Sequence, residues 1–172
     1  MLSRAVPEGL LAGLAGAAVM TLGEKLEQRI TRRPDSYVPA RTLQRLAHRP
    51  ERPPERSRGT NLVMHYGQGV LMGVLRSTMA YVGMRGPLAS GMFTVIRLTS
   101  DQIFENATGV GAPPQTWPRR ELVIDVLHKA TYAYATGVVA DALAARRGPG
   151  PGERHAAVRP GRHSDVGPLA RG

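Results

Sequence analysis

Ten polar side chains lie inside otherwise apolar segments of this 172-residue chain, and their types are those that carry protons, form ion pairs or bind metal ions. They are Glu24, His65, Gln68, Arg76, Arg97, Asp101, Glu105, Asp125, His128 and Lys129. At 100° per residue, the polar members of each segment fall on one helix face. Each predicted helix therefore has one polar stripe and one apolar arc, and we expect the stripes to face one another.

The first hypothesis for these residues is a structural network of ion pairs that fixes the register of the helices. Arg97 and Asp101 are four residues apart, and so are Asp125 and Lys129. This is a spacing at which opposite charges pair on a helix. Arg76 is then left for an acid on another helix, namely Glu24 or Glu105.

Two sharper hypotheses stay open. In the first, the stripes line a proton or ion conduit, because ionisable groups inside a membrane often mark such a path and histidines carry protons near neutral pH. Its lining would be His65, Arg97, Asp101, Asp125 and His128. In the second, a soluble bundle binds metal through carboxylates and histidines, since Asp125 and His128 have the spacing of one half of a di-metal motif. The other half is missing, so we expect no metal and no cofactor.

The sequence contains no recognisable catalytic motif. It has no cysteine, which excludes disulfides, thiolate zinc sites and cysteine nucleophiles. The nucleophile elbow, the phosphate-binding glycine loop and the zinc-protease pattern are also missing from the sequence. We therefore expect a non-enzymatic protein of unknown biochemical activity.

Four long apolar segments must position the polar side chains. Each is long enough for five or six helical turns, and glycine, proline or arginine-rich stretches separate them. A short run with leucines at helical spacing beside two arginines predicts an amphipathic surface helix, and a glycine- and proline-rich end predicts a disordered tail. The predicted elements are helices at about 7–30, 61–83, 88–108 and 119–145 within a domain over 1–146, the surface helix Ala40–His48, and the tail 147–172.

The outer faces of the predicted helices lack the charges that a water-facing bundle needs. Small residues recur at four-residue spacing, which lets membrane helices approach closely. We predict an all-α four-helix membrane bundle, a multi-pass protein of the cell membrane. The uncharged run 9–23 is shorter than the ~20 residues that a bilayer core requires, so a soluble bundle or a signal peptide are competing interpretations. The helix-packing residues are Gly9, Gly13, Ala17, Gly69, Gly73, Ala133 and Gly137.

The net charge of +10 lies in one connection and in the tail. Residues 25–58 have ten basic and four acidic side chains, residues 146–172 have six and two, and the rest is balanced. The arginines are interspersed with prolines rather than aromatic residues, so we expect no nucleic-acid binding and assign them to anionic lipid headgroups. Association between copies of the chain is a second partner hypothesis. If all four helices span, the excess of basic residues favours the first connection inside the cell.

Several motifs resemble those of small predicted membrane proteins. The glycine- and alanine-rich run at residues 9–21, Arg33–Pro39, Met64–Gly69 and Trp117–Arg119 are similar to an uncharacterised group of bacterial and fungal predicted integral membrane proteins. More distantly, the four-helix layout with a histidine in the second and last helices resembles the YagU-like inner-membrane family. The resemblance covers residues 7–145. It implies a multi-spanning membrane protein with a role in stress or acid tolerance, and it assigns no catalytic residue.

Overall fold

The computed structural model describes residues 2–158, and this part of the chain is all-α, with six α-helices, one short 3-10 helix and no strand. The predicted all-α class is therefore confirmed. The elements are α1 (Leu2–Thr31), α2 (Val38–Leu46), α3 (Pro54–Val82), α4 (Gly86–Ala107), the 3-10 helix Pro114–Thr116, α5 (Arg119–Ala145) and α6 (Pro151–Val158).

The four long helices, α1, α3, α4 and α5, pack into one bundle in which consecutive long helices run in opposite directions. Gly9 of α1 lies against Val74 of α3, and Gly13, one turn later, lies against Gly69, so these two helices are antiparallel. The helix α5 packs against α1, α3 and α4, and α2 lies on α3. The short connection between the end of α3 at Val82 and the start of α4 at Gly86 favours an antiparallel pair.

Glycines allow α1 and α3 to approach at backbone distance. A Cβ atom built at Gly13 would lie 2.5 Å from the carbonyl oxygen of Gly69, and one built at Gly73 would fall on the carbonyl oxygen of Gly9. Ala17 continues the row, 3.1 Å from a Cβ built at Gly69. The small residues of these two helices therefore lie where the helices meet, and no larger side chain fits there unless a helix shifts.

The helix boundaries differ from the predicted ones chiefly at two starts. The helix α3 begins at Pro54 rather than at residue 61, because proline fits the first turn of a helix, where its missing N–H has no intrahelical partner to lose. The acidic Glu55 in the same turn interacts favourably with the helix dipole. The helix α1 begins at Leu2, so Pro7 lies inside the helix instead of in its first turn. The predicted 88–108 and 119–145 correspond to α4 and α5.

The short helix α2 turns polar side chains toward the bundle. Its buried residues are Ala40, Thr42 and Gln44, whereas Leu46 is 45% exposed. The Gln44 amide is 3.5 Å from the Ser57 hydroxyl at the start of α3. The helix lies near its predicted position, and its buried side chains include two polar ones, Thr42 and Gln44, rather than its leucines.

The prediction of a disordered tail is wrong for residues 147–158, which include α6. The segment is ordered because its glycines allow it to pack directly on the end of α3. A Cβ at Gly150 would lie 2.6 Å from the backbone nitrogen of Gly83. An ion pair of 3.2 Å between Arg85 and Glu153 also holds α6. The remainder of the predicted tail, residues 159–172, lies outside the described residues.

Among the helices of residues 2–158, one has the length and apolar composition of a membrane span. It is α1 over Ser3–Thr31, which contains an 18-residue window of mean hydropathy 1.5, and a core helix or a signal sequence near the N-terminus would meet the same criterion. The helices therefore support one candidate span, and the predicted four spans are not supported on this criterion. Polar stripes lower the hydropathy of α3, α4 and α5.

Gly73→Ala should destabilise the bundle by about 1–3 kcal/mol, because the added methyl group overpacks the contact between α1 and α3. Gly67→Ala is the matched control in the same helix, since nothing lies within 4 Å of a Cβ at that position. It should stabilise the protein by about 0.5–1 kcal/mol through lower backbone entropy of the unfolded chain. Thermal unfolding followed by circular dichroism measures both, and equal effects would contradict the close approach.

Candidate functional site

A cavity of about 730 Å³ opens at the end of the bundle where α1 and α4 end and α3 and α5 begin. Nine of the ten predicted network residues line it, all except Arg76. They come from four helices that are far apart in sequence, so the bundle itself brings the polar stripes together. The connection after α1 and the loop before α5 supply the outer wall.

The innermost part of the cavity is organised around the carboxylate of Asp101, which is nearly buried at 6% exposure. Gln68 of α3 donates to Asp101 Oδ1 at 2.6 Å, and the Lys129 ammonium of α5 lies 3.1 Å from Oδ2. Arg97, one turn earlier on α4, lies 3.2 Å from Oδ1. Lys129 also donates to Asp125 at 2.8 Å. One buried carboxylate thus connects three helices, and both predicted i,i+4 pairs are present.

Aromatic side chains close the cavity beneath this ion cluster. The Arg97 guanidinium lies 5.3 Å from the centre of the Tyr132 ring, a cation–π contact. Tyr132 is fully buried and donates through its hydroxyl to the carbonyl oxygen of Gly69 at 2.5 Å. Phe93 packs beside it with ring centres 5.9 Å apart. The predicted packing residue Ala133 belongs to the same apolar cluster.

Histidines and acids form the walls of the cavity nearer its mouth. The Nε2 atom of His65 lies 3.2 Å from the Thr21 hydroxyl. Glu24 lies 4.0 Å from the Arg33 guanidinium, which pairs more closely with Glu27 at 3.1 Å. His128 lines the same cavity. These contacts connect the end of α1 to α3 and to the connection that follows it.

Four further residues line the cavity without having been predicted as site residues; three lie outside the predicted apolar helices, and Glu121 lies in the first turn of the predicted helix 119–145. Arg33 and Asp35 belong to the connection after α1, and Trp117 and Glu121 surround the start of α5. Lys25 of α1 donates a hydrogen bond to the Asp35 carboxylate and lowers the pKa of that carboxyl. This hydrogen bond holds the connection against α1. The available signal was Trp117, which directly precedes Pro118 and the start of α5. A proline at this point restricts the backbone of the residue before it and so fixes the position of that residue.

Arg76 lies apart from the cavity, and the predicted pairing with Glu24 or Glu105 is wrong. Its fully buried guanidinium donates to Asp141 at 2.8 Å and lies 3.3 Å from the Ser90 hydroxyl. Asp141 also accepts the backbone N–H of Gly86 at 2.8 Å, so this pair joins α3, α5 and the first residue of α4.

The sequence could have indicated the partner of Arg76. Asp141 follows Gly137 by one helical turn, and a Cβ at Gly137 would lie 3.1 Å from Nη2 of Arg76. The predicted packing residue Gly137 therefore leaves room for a large cation, and an acid one turn away is the natural counter-charge.

The cavity lining is acidic although the chain is basic. Six carboxylates and three cations line it, which gives a formal charge of −3. All three cations have ion-pair partners. By contrast, Glu105 and Glu121 form no ion pair among residues 2–158. Over the same residues, no three histidine, aspartate or glutamate side chains are placed to hold a metal ion, which gives the metal-binding alternative no geometric support.

Comparisons of the chain with protein-family models, with curated proteins and with solved structures gave no match.

Asp141→Asn should destabilise the protein by about 3–5 kcal/mol, because it leaves the buried Arg76 without its counter-charge. Asp125→Asn is the matched control, since Lys129 retains Asp101 as a partner there, and its effect should stay below about 1 kcal/mol. Denaturant or thermal unfolding measures both. The double substitution Arg76→Met with Asp141→Leu should recover most of the loss; a double variant as unstable as Asp141→Asn would show that the pair is not the cause.

Proposed function

We propose that this chain is a non-enzymatic integral membrane protein whose long helices lie in the bilayer of the cell membrane around a water-filled polar cavity. The observation that carries the proposal is the inverted burial of its side chains. The largest fully buried side chain is that of Arg76, whereas Leu22, Leu71 and Val138 are 69–71% exposed. A bundle that folds in water places these residue types the other way round.

Lipid gives the exposed apolar side chains the environment they favour. Exposed leucine, valine and isoleucine residues occur on all four long helices. Burying one such side chain away from water contributes roughly 1.5–3 kcal/mol. Exposed apolar side chains in this number, on every long helix, favour a membrane or protein contact over an ordinary water-facing exterior. The same surface also suits association between copies of the chain inside the bilayer.

The polar stripes of α3, α4 and α5 are compatible with a bilayer because their buried cations are paired in the interior. A lone charge at the centre of a membrane helix costs about 2.5–3.5 kcal/mol on insertion scales. Arg97 and Lys129 instead have Asp101, and Arg76 has Asp141. Such helices insert as a bundle, even though their individual hydropathy falls short of a single span.

The arginines at the cavity end supply the contact with anionic headgroups. Six arginines within residues 25–58, at the end of α1, in the connection and at the start of α3, are exposed and form no ion pair within residues 2–158: Arg29, Arg32, Arg49, Arg52, Arg56 and Arg58. They lie on the same end of the bundle as the cavity mouth. By the positive-inside tendency this end faces the cytoplasm, and each basic residue near the surface contributes about 1 kcal/mol to the attraction. The resemblance to the YagU-like family supports the same location and adds a role in stress or acid tolerance.

Membrane insertion is tested with single cysteines, because the chain has none of its own. In native membrane vesicles, Leu71→Cys should resist a water-soluble maleimide until detergent denaturation, since lipid covers this exposed leucine. Arg49→Cys, at the cavity end, should react at once in inside-out vesicles. Carbonate washing should leave the protein in the pellet. Release into the supernatant, or rapid labelling of Leu71→Cys in intact membranes, would overturn the proposal.

A proton or ion conduit is the second candidate function, and one observation favours it. The hydroxyls of Thr136 and Ser77 are buried and have no hydrogen-bond partner in the described part of the chain. Thr136 lies one turn beyond Tyr132, on the way to Asp141, so polar groups continue past the closed inner end of the cavity. In this candidate the layer of Tyr132 and Phe93 is a gate in its closed state.

Asp101→Asn should abolish proton flux if the conduit operates, because it removes the carboxylate shared by three helices at the gate. The measurement is acidification of vesicles that contain the purified protein and a pH-sensitive dye. Glu55→Gln removes a carboxylate from the exposed start of α3, outside the cavity, and should leave the flux unchanged. Equal leakage with and without Asp101 would exclude the conduit.

A further inference from the structure

We propose that the cavity binds an extended zwitterionic solute, such as an ω-amino acid or a short peptide, with its carboxylate at the inner end and its ammonium group near the mouth. This inference rests on the proposed function only in taking the cavity to be open to water at the membrane surface. The volume of about 730 Å³ lies within the roughly 300–1,000 Å³ of small-molecule sites.

Arg97 at the inner end requires an acceptor that the protein does not supply. The residue is 3% exposed, and its Nε and Nη1 atoms are buried without a hydrogen-bond acceptor among residues 2–158. The 3.2 Å approach of Nη1 to Asp101 is an ion pair outside hydrogen-bonding geometry. A buried donor left without a partner costs about 1–3 kcal/mol.

A ligand carboxylate is the acceptor that fits Arg97 best. Asp101 already accepts from Gln68 and pairs with Lys129, so its oxygens are shared. Guanidinium groups bind carboxylates through two parallel N–H donors, which gives both strength and orientation. An anion that enters the cavity would therefore be held at its inner end by Arg97 and Lys129.

The outer part of the cavity offers two carboxylates to a cation. Glu105 and Glu121 line it and form no ion pair or hydrogen bond with a side chain of the described residues. Trp117 and Phe104 line the same region, and the indole is fixed by its hydrogen bond to the Ala112 carbonyl oxygen at 2.8 Å. Carboxylates beside aromatic faces are the surroundings that bind organic ammonium groups.

The separation of the two regions sets the length of the solute. Arg97 and Glu105 are eight residues apart on α4, which is about 12 Å along a helix at 1.5 Å per residue. The side chains of Arg97 and Glu105 cover part of this distance. A solute whose two charges are adjacent, such as glycine, can reach only one of the two regions and leaves its other charge without a partner. A chain of several carbon atoms between the carboxylate and the ammonium group reaches both.

The experiment is calorimetric titration of the full chain in lipid nanodiscs with 6-aminohexanoate, hexanoate, hexylamine and glycine. We expect 6-aminohexanoate to bind at least about tenfold more tightly than the other three, because only it satisfies both ends (tenfold is about 1.4 kcal/mol). Equal binding of hexylamine and 6-aminohexanoate would reduce the site to a cation site and overturn the proposal. Binding of none of the four would also overturn it.

Variants at the two ends separate the two contacts. Glu105→Gln combined with Glu121→Gln should lower the affinity for 6-aminohexanoate about tenfold and leave hexanoate unchanged. Glu55→Gln, outside the cavity, is the matched control. Arg97→Lys retains the charge beside Asp101 and should lower the affinity for 6-aminohexanoate to that of hexylamine, with circular dichroism verifying the fold. No change with Arg97→Lys would contradict the carboxylate contact.

Failure of binding leaves the carbonate and labelling results unaffected, so the solute proposal and the membrane proposal can fail separately.

Discussion

The carboxylate of Asp101 is the interaction on which the cavity end of the bundle depends. It lies 6% exposed among charges and an amide from α3, α4 and α5, so three helices are held in register by one side chain. Above it lies the open cavity, and below it the cation–π contact of Arg97 with Tyr132 begins the closed layer. A buried charge is tolerated only when it is paired and hydrogen-bonded, and Asp101 meets this condition only when all three helices are in place.

The cavity opens where the row of small α1 residues that faces α3 ends, at Ala17. From Gly9 to Ala17 the helix lies at backbone distance from α3, and no space remains between them. Beyond that point Thr21 and Glu24 replace glycine, the contact with His65 passes through side chains, and the helices separate. One helix pair therefore forms both the tight part of the bundle and the wall of its polar cavity.

Local patterns predicted more of the structure than distant pairings did. The all-α class and the i,i+4 pairs of Arg97 and Lys129 follow from helical periodicity, which a short window contains. The partner of Arg76 does not follow from a short window, because Asp141 is 65 residues away along the chain and belongs to another helix, α5. The start of α3 at Pro54 does not follow from treating proline as a helix breaker, because the first helical turn accepts it. The cavity mouth was missed because loops, which have no periodicity, supply it.

The attachment of α6 is a backbone-to-backbone contact made by three glycines. Gly150 and Gly152 lie on the end of α3 at Gly83, where a Cβ on any of them would lie within 2.9 Å of backbone atoms of the other segment. Few side chains contribute to the contact, apart from the ion pair of Arg85 with Glu153. Segments with so few buried apolar contacts open at low free energy while the rest of the fold stays intact. The attachment of α6 to the end of α3 therefore depends on close backbone packing. A single methyl group added at Gly150 or Gly152 would be expected to separate the two segments.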